Sequence, residues 1–256
     1  MKAIRNIFIA VLIFSFVFSF NSFCKEKSCS WYIKKNGNKR PEFPENSAEL
    51  SEYNCIFVDD ITAAKGEKRL YLTFDAGYEN GNVEKILDIL QRENIPAAFF
   101  LLDNIILKNT DLVKRMVDEG HLVCNHTKNH KNLSCSSKDE IMSDLSALES
   151  IYTEKTGREM SKFFRFPEGK YSLEAVKSIN ELGYTTVFWS MCYDDWDNSR
   201  QMDKTKAMNK LLKHTHDGAV ILLHPTSKTN VEILPELIKE WRNMGYTFHS
   251  LDKFGK

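Results

Sequence analysis

The fold is decided by the stretch RLYLTFD at residues 69–75, where a regular pattern of predicted secondary structure begins. From this β-rich run onward, short runs typical of strands alternate with segments in which apolar residues recur at helical spacing. The predicted strands lie at 69–75, 97–102, 121–125, 162–166, 184–190, 219–223 and 246–249. Helices are predicted between them, near residues 82–93, 110–119, 138–155, 172–182, 203–214 and 231–244.

Such an alternation of strands and helices predicts an α/β fold with a parallel sheet covered by helices. Both a closed barrel and an open doubly wound sheet satisfy the pattern. Local signals support the predicted helices, since Ser137 and Glu140 have the spacing of a capping box at the start of one of them. In either architecture, ligands bind at the carboxyl ends of the strands.

The overall charge excludes one class of function. The chain has 35 basic and 35 acidic residues, so its formal net charge is zero. Proteins that bind nucleic acids need a basic surplus against the phosphates, and we therefore expect no nucleic-acid partner. The hydrophobic fraction of 42% is ordinary and provides for a core of normal size. We expect the chain to act as a monomer.

The first residues have the pattern of an export signal. Basic residues precede an apolar run from Ile7 to Phe20, as in secretory signal peptides. Counted from Ala3, the apolar stretch also approaches the length that spans a bilayer. Residues 1–24 are therefore predicted to be either a signal peptide or an N-terminal membrane anchor. In both cases we expect an exported protein, secreted or anchored on the extracytoplasmic side of the membrane.

Two further regions follow the predicted leader. Residues 25–66 are polar and are broken by Pro41 and Pro44, which is typical of an N-terminal arm or a linker. Residues 67–254 carry the regular pattern and are predicted to form the main domain.

The cysteines give little support to a disulfide framework. Their number is even, at positions 24, 29, 55, 124, 135 and 192, and an exported chain permits disulfides. Their spacings show no framework, however, and a domain of this size does not need cross-links. We therefore favour unbridged cysteines, with Cys124 as a small buried thiol in an apolar run.

Polar residues suited to catalysis follow five of the seven predicted strands. They are Asp75, the pair His126 and His130, Arg165, Asp195 and His224. Because the carboxyl ends of parallel strands meet on one face, these side chains are predicted to form a site. On a helical turn, His126 and His130 would share a face and reach a single metal ion.

Each of these residues also has a structural interpretation. Asp75 precedes Gly77 and fits a turn or capping carboxylate. Arg165 fits a structural ion pair, Asp195 fits a solvated loop, and His224, at the end of a very apolar strand, fits a buried hydrogen-bonded histidine. The residues alone leave both interpretations open.

The ordered motifs resemble those of a known enzyme family. They are Thr73-Phe74-Asp75-Ala76-Gly77, His126-x-x-x-His130, Arg165-Phe166-Pro167-Glu168-Gly169, Asp195-Trp196 and Leu222-Leu223-His224. In order and spacing they are similar to the five motifs of polysaccharide deacetylases, the NodB-homology domain of carbohydrate esterase family four. The resemblance covers roughly residues 67–254.

This resemblance implies a distorted (β/α) barrel of about seven parallel strands that hydrolyses N-acetyl groups on a glycan. It also implies roles for the site residues. Asp75 is expected to be the general base, oriented by Arg165, and His224 the general acid, tuned by Asp195. His126 and His130 are expected to hold a divalent metal ion, with zinc as the first choice. The metal would stabilise the oxyanion of the tetrahedral intermediate.

Further segments resemble a subgroup, the muramic-acid deacetylases that initiate muramic δ-lactam synthesis in spore cortex. They are Trp31–Lys35, Tyr78-Glu79-Asn80-Gly81, Gly120-His121 and Val187-Phe188-Trp189-Ser190. This likeness implies peptidoglycan glycan strands as the partner and the forespore intermembrane space as a location. Two alternatives remain: a deacetylase of N-acetylglucosamine in peptidoglycan or another glycan, and a glycan-binding protein with impaired catalysis.

Ala76 departs from the pattern of the wider family, in which a second aspartate at this position binds the metal. The muramic-acid subgroup often lacks that carboxylate as well. With two imidazoles and no further fixed ligand, we expect a weakly held metal, because catalytic zinc usually has three protein ligands. Asp75 or Glu79 is a candidate to approach the metal, and Phe166 and Glu168 are expected to alter one wall of the pocket.

Overall fold

The computed structural model describes residues 28–256. The predicted leader at residues 1–24 lies outside this part of the chain. The described strands are β1 (Cys29–Ser30), β2 (Lys34–Asn36), β3 (Lys39–Glu42), β4 (Cys55–Ile56), β5 (Arg69–Ala76), β6 (Ala97–Leu101), β7 (Leu122–Asn125), β8 (Ser161–Phe164), β9 (Lys170–Tyr171), β10 (Thr185–Val187), β11 (Ala219–Leu223) and β12 (Thr247–Phe248).

Helices cover the spaces between these strands. The described α-helices are α1 (Ser47–Glu52), α2 (Asp60–Ala64), α3 (Val83–Glu93), α4 (Asp103–Lys108), α5 (Thr110–Asp118), α6 (Lys138–Thr156), α7 (Leu173–Glu181), α8 (Lys204–His214) and α9 (Lys228–Asn243). Single 3-10 turns occur at Pro167–Gly169 and Leu251–Lys253. The predicted capping box is confirmed, since Ser137 and Glu140 bond each other's backbone N–H groups at the start of α6.

The main sheet has the strand order β11-β5-β6-β7-β8-β10-β4, with β12 paired to β5, and its ladders are parallel. Beyond β10, the chain bridges back to β11, where Met191 pairs with Ile221. Leu222 N donates to the Met191 carbonyl at 2.9 Å, which closes the ring of strands on this side. The sheet is therefore a distorted α/β barrel, as predicted.

The barrel interior and the helix layer have separate apolar cores, because successive residues of β5 point to opposite faces. Leu70, Leu72 and Phe74 pack under the helices. Tyr71, on the opposite face, packs inside the barrel against residues of neighbouring strands such as Phe100. This alternation places Thr73 and Asp75 on the inner face, at the carboxyl end of β5.

The segment predicted as an arm or linker is part of the barrel. Its strand β4 pairs in parallel with β10, and Val58 bridges Ala219 of β11 on the other side. A short piece of the arm thus fills the gap between two strands that do not pair along their full length. The arm also buries Trp31, whose ring stacks on Phe188 with 4.4 Å between centroids.

The structure corrects one expectation about the cysteines and confirms another. Cys135 is joined in a disulfide, so the preference for unbridged cysteines is wrong there, because spacing along the chain does not report proximity in space. Cys124 is buried as predicted, and burial raises the pKa of its thiol.

Within residues 28–256, no helix has both the length and the apolar character needed to cross a bilayer.

Candidate active site

The polar side chains predicted at strand ends meet at one end of the barrel. Each follows or ends a strand whose carboxyl end lies there, and contacts described below connect them. They are Asp75 in β5, His126 after β7, Arg165 after β8, Asp195 after β10 and His224 after β11. His130 joins them through the ring of His126.

Arg165 is the centre of this arrangement. Its side chain is completely buried, and its guanidinium donates to Asp75 Oδ1 at 2.7 Å. Further donors reach Thr73 Oγ1 at 2.8 Å and the Val187 carbonyl oxygen at 3.0 Å. The guanidinium carbon also lies 4.1 Å from the centre of the Phe100 ring. Such planar, multiply bonded pairing is a property of arginine that lysine does not share.

The charge of Arg165 decides the ionisation of Asp75. Burial disfavours the carboxylate, but the positive charge of Arg165 beside it, with a further contribution from His224, outweighs it. The pKa of Asp75 is therefore lowered below its ordinary value. A carboxylate in this state can accept a proton from a water molecule only when the reaction itself raises the acidity of that water. The interpretation of Asp75 as a turn or capping carboxylate does not account for its contacts with Arg165 and His126.

His126 is held as a neutral imidazole. Its Nδ1 lies 2.8 Å from the Arg165 carbonyl oxygen, and since a carbonyl only accepts, Nδ1 carries the proton. Burial lowers the pKa of His126 to about 4. The lone pair therefore remains on Nε2, which lies 3.5 Å from Asp75 Oδ2. A backbone carbonyl that fixes the tautomer in this way is typical of histidines that bind metals.

The histidine pair does not lie on a helical turn, so that part of the prediction is wrong. His126 to His130 form a loop in which Thr127 and His130 have positive φ angles of 69° and 62°. Side chains hold this loop, because Asn125 Oδ1 accepts from Thr127 N and Thr127 Oγ1 accepts from Lys131 N. The two imidazole rings nevertheless lie 5.1 Å apart, at an interplanar angle of 76°.

The donor set fits a metal ion only in part. His126 offers a neutral imidazole nitrogen beside the Asp75 carboxylate, and His130 is adjacent. Among residues 28–256, however, no group of three or more histidine, cysteine or acidic side chains has the arrangement of a metal site. The structure thus brings the two predicted imidazoles together, without a third histidine, cysteine or acidic side chain arranged as a ligand among residues 28–256.

Ala76 occupies the position at which the wider family has a metal-binding aspartate, and its methyl group offers no ligand. The Ala76 methyl is buried in the core under the helices. The Glu79 carboxylate accepts from Gly81 N. Glu168, at a positive φ of 56°, pairs with Lys170 at 2.5 Å. Glu168 and Lys170 thus form a solvent-facing charged pair, whereas Phe166 is completely buried, and the expected change in this wall of the pocket stays a prediction.

His224 and Asp195 form a second charged unit. His224 Nδ1 lies 2.9 Å from Asp195 Oδ1, and His224 N donates to Asp195 Oδ2 at 2.7 Å. Burial works against a positive charge on the ring, but the charge and hydrogen bond of Asp195, with Asp75, outweigh it and raise the pKa of His224. Asp195 is 1% exposed, which excludes the solvated-loop interpretation. Its imidazolium partner can donate a proton.

Several supporting residues were not predicted from the sequence. Asn230 donates to Asp195 Oδ2 at 2.6 Å, and its own side-chain oxygen accepts from Tyr193 Oη at 2.5 Å. Thr73, which accepts from Arg165, shares the inner face with Asp75, so strand alternation alone could have identified it. Asn230 lies within the first turn of α9 and carries no such signal.

Comparison with known proteins agrees with this geometry. A family profile described as polysaccharide deacetylase matches residues 62–187. The peptidoglycan-N-acetylmuramic acid deacetylase PdaA of Bacillus subtilis is 34% identical over 227 residues, which is 87% of this chain and 84% of that protein. The solved structure of B. subtilis PdaA, a family 4 carbohydrate esterase, superposes with a TM-score of 0.83 at 33% identity, covering 89% of this chain and 97% of that one.

A relative with a different stated substrate is also similar. The peptidoglycan-N-acetylglucosamine deacetylase PgdA of Listeria monocytogenes is 31% identical over 200 residues, or 78% of this chain. The match covers 41% of that longer protein.

The buried ion pair predicts a large effect of one substitution. We expect Arg165→Gln to lower the free energy of unfolding by about 3–5 kcal/mol, because it leaves the Asp75 charge buried without a partner. Denaturant unfolding monitored by circular dichroism measures this. Arg158→Gln, in an exposed pair with Asp118, is the matched control and should cost under about 1 kcal/mol. Equal effects of the two substitutions would contradict the central role of Arg165.

Proposed function

The chain belongs to the polysaccharide deacetylases, hydrolases that act on N-acetyl groups, and from this membership we propose that it deacetylates N-acetylmuramic acid in peptidoglycan. The catalytic part of this proposal rests on two ionisable side chains at one end of the barrel whose pKa values are shifted in opposite directions. Arg165 keeps Asp75 ionised, while Asp195 keeps His224 protonated. One group is thus favoured as a base and the other as an acid, as proton transfer in amide hydrolysis requires.

Asp75 is the proposed general base. Amide hydrolysis begins with attack of water on the carbonyl carbon, and Asp75 takes the proton of that water as the C–O bond forms. Arg165 fixes the carboxylate by Oδ1, which leaves Oδ2 for the water. Thr73 and Val187 in turn hold the guanidinium, so the base has little freedom to rotate. This fixed orientation contributes to the rate.

His224 is the proposed general acid. The amine of the sugar leaves poorly as an anion, so it needs a proton as the C–N bond breaks. The imidazolium supplies that proton from Nε2, because Nδ1 is bonded to Asp195. Asn230 holds Asp195 through its second oxygen and fixes the ring further.

His126 and His130 are the proposed ligands of a divalent metal ion, with zinc as the first choice. A bound ion would act as a Lewis acid toward the acetyl carbonyl. The chain itself provides a neutral His126, oriented by the Arg165 carbonyl. With only two imidazoles, the binding is weak.

The substrate is proposed from the similarity to PdaA together with the surface beside the site. Trp196 and Tyr78 follow catalytic residues in sequence and are 66% and 47% exposed. Exposed aromatic rings of this kind offer apolar faces and polar edges suited to sugar rings. The similarity to PgdA favours one alternative substrate, N-acetylglucosamine in peptidoglycan.

The proposed product connects the protein to spore cortex synthesis. Deacetylation of muramic acid frees an amine beside the lactyl carboxyl group of the same sugar. When the stem peptide has been removed, these two groups can close to the muramic δ-lactam. We propose that the protein is exported by its N-terminal segment and acts on peptidoglycan outside the cytoplasm, in the forespore intermembrane space.

Mass spectrometry of muropeptides tests this activity. Peptidoglycan treated with a peptide-stripping amidase and then with the protein should lose acetyl groups from muramic acid. We expect Asp75→Ala to reduce acetate release by roughly 10²–10⁴-fold, because the base is removed. Asp194→Ala is the control, since this neighbouring carboxylate is 81% exposed. Loss of acetyl groups from glucosamine alone would support the alternative substrate, and no release by the wild type with zinc, cobalt or manganese would exclude the enzyme.

The pH profile tests the acid. Activity needs protonated His224, so kcat/KM should fall as pH rises through the pKa of His224, which lies above its ordinary value. Asp195→Asn removes the main group that raises this pKa, and the alkaline limb should move to lower pH. The acid limb, set by the lowered pKa of Asp75, should stay in place. An unmoved alkaline limb in the variant would exclude His224 as the acid.

Calorimetry tests the metal site. Zinc titrated into the protein should bind far more weakly than the roughly 10–16 kcal/mol of structural zinc sites, because only two imidazoles hold it. His126→Ala should remove the remaining heat of binding. His249→Ala is the control, since this histidine lies near Tyr71 at the opposite end of β5. Tight binding by the wild type would contradict the two-histidine site.

A further inference from the structure

Two asparagine side chains in the loop after β5 bond to a single carbonyl group in the loop after β11. Asn80 Nδ2 donates to the Thr226 carbonyl oxygen at 2.9 Å, and Asn82 Nδ2 donates to the same oxygen at 2.8 Å. A carbonyl oxygen has two lone pairs, so both are used. Asn80 and Asn82 follow β5, whereas Thr226 follows β11, two residues beyond His224.

Asn82 makes this contact in place of a local one. It occupies the N-cap position of α3, where asparagine is among the most stabilising residues, yet its side chain forms no capping hydrogen bond. Elsewhere in the described chain, helices do use this stabilisation, with side-chain caps at Asp59, Ser137, Ser172, Asp203 and Ser227. The Asn82 amide instead reaches across to the neighbouring loop.

The loop that receives these bonds is held on its other side by the charged unit. Asn230 Nδ2 donates to the His224 carbonyl oxygen at 2.9 Å, and Asp195 accepts from His224 N. Thr226 itself is 5% exposed. The main chain around His224 is therefore fixed from the Asp195 side and from the Asp75 side. The parallel ladder of β5 and β11 ends at Phe74 and Leu223, and beyond it the two asparagines join the loop after β5 to the loop after β11.

We propose that Asn80 and Asn82 are positioning residues that set the distance between the base Asp75 and the acid His224. This inference rests on the proposed function. Both groups must reach one acetamide, the base from the attacking water and the acid at the nitrogen, so their separation decides how well each proton transfer is aligned. A displacement of about 1 Å in such a geometry reduces rates by roughly 10²-fold.

The substitution Asn82→Asp separates positioning from stability. Aspartate caps helices as well as asparagine does, and its charge is favourable at a helix N-terminus. It has no N–H donor, however, and faces the Thr226 carbonyl with a second acceptor. We expect Asn82→Asp to keep or raise the melting temperature and to lower kcat for acetate release by roughly 10–100-fold, with little change in KM.

Two further variants complete the comparison. Asn80→Ala should lower kcat less than the double change Asn80→Ala with Asn82→Ala, since each amide holds one lone pair. Asn243→Ala is the matched control, because within residues 28–256 that amide bonds to Glu240 on the exposed end of α9, away from the site, and it should leave kcat unchanged.

The inference fails if Asn82→Asp keeps the wild-type kcat, or if kcat and melting temperature fall together, which would indicate a structural role alone. A second readout does not depend on activity. The imidazole ring signals of His224 in ¹H–¹⁵N spectra should shift in Asn82→Asp and stay in place in Asn243→Ala, and unchanged signals in both would overturn the inference. An inactive wild type with a shifted His224 signal would instead overturn the proposed function.

Discussion

The ion pair between Arg165 and Asp75 is the constraint on which the site depends. A completely buried guanidinium is stable only when its charge and its donors are matched, and here Asp75, Thr73 and Val187 match them. The same residue orients His126 through its carbonyl oxygen. Three strands of the barrel are thus fixed relative to one another by one side chain, and the ionisation of Asp75, the proposed base, follows from that arrangement.

Much of the fold could be predicted because the strands and helices of the barrel each show a regular hydrophobic pattern within a short stretch of sequence. All seven predicted strands and all six predicted helices are present, with ends that differ by at most three residues. The convergence of Asp75, His126, Arg165, Asp195 and His224 also followed from their places after strands, since parallel strands end on one face. The short helix α4 was not predicted, because six residues directly after a buried strand are too few to show a helical period.

The rest depends on contacts between residues far apart in sequence. Asn230, Asn80 and Asn82 act through single hydrogen bonds to other loops, and an asparagine near a helix start predicts a cap in the first instance. The spacing of His126 and His130 alone predicts a helical turn, because it does not reveal the left-handed conformations of Thr127 and His130. Nor does a polar segment interrupted by prolines indicate that its two-residue strand β4 enters the main sheet.

Strand β4 extends the part of the chain that the barrel needs in order to fold as a unit. β4 covers the edge of β10, and Val58 after it bridges to Ala219 of β11. A barrel without residues 28–61 would therefore leave β10 unpaired along this edge and β11 joined to the chain after β10 through the bridge of Met191 to Ile221. Exposed edges of this kind template association with other chains. The family match begins at residue 62, after this strand. The self-sufficient piece therefore begins earlier than the family match, and transplanting the barrel into another protein requires the arm as well. Because β4 meets strands more than a hundred residues later in the chain, ring closure is also a non-local event, of the kind that slows folding.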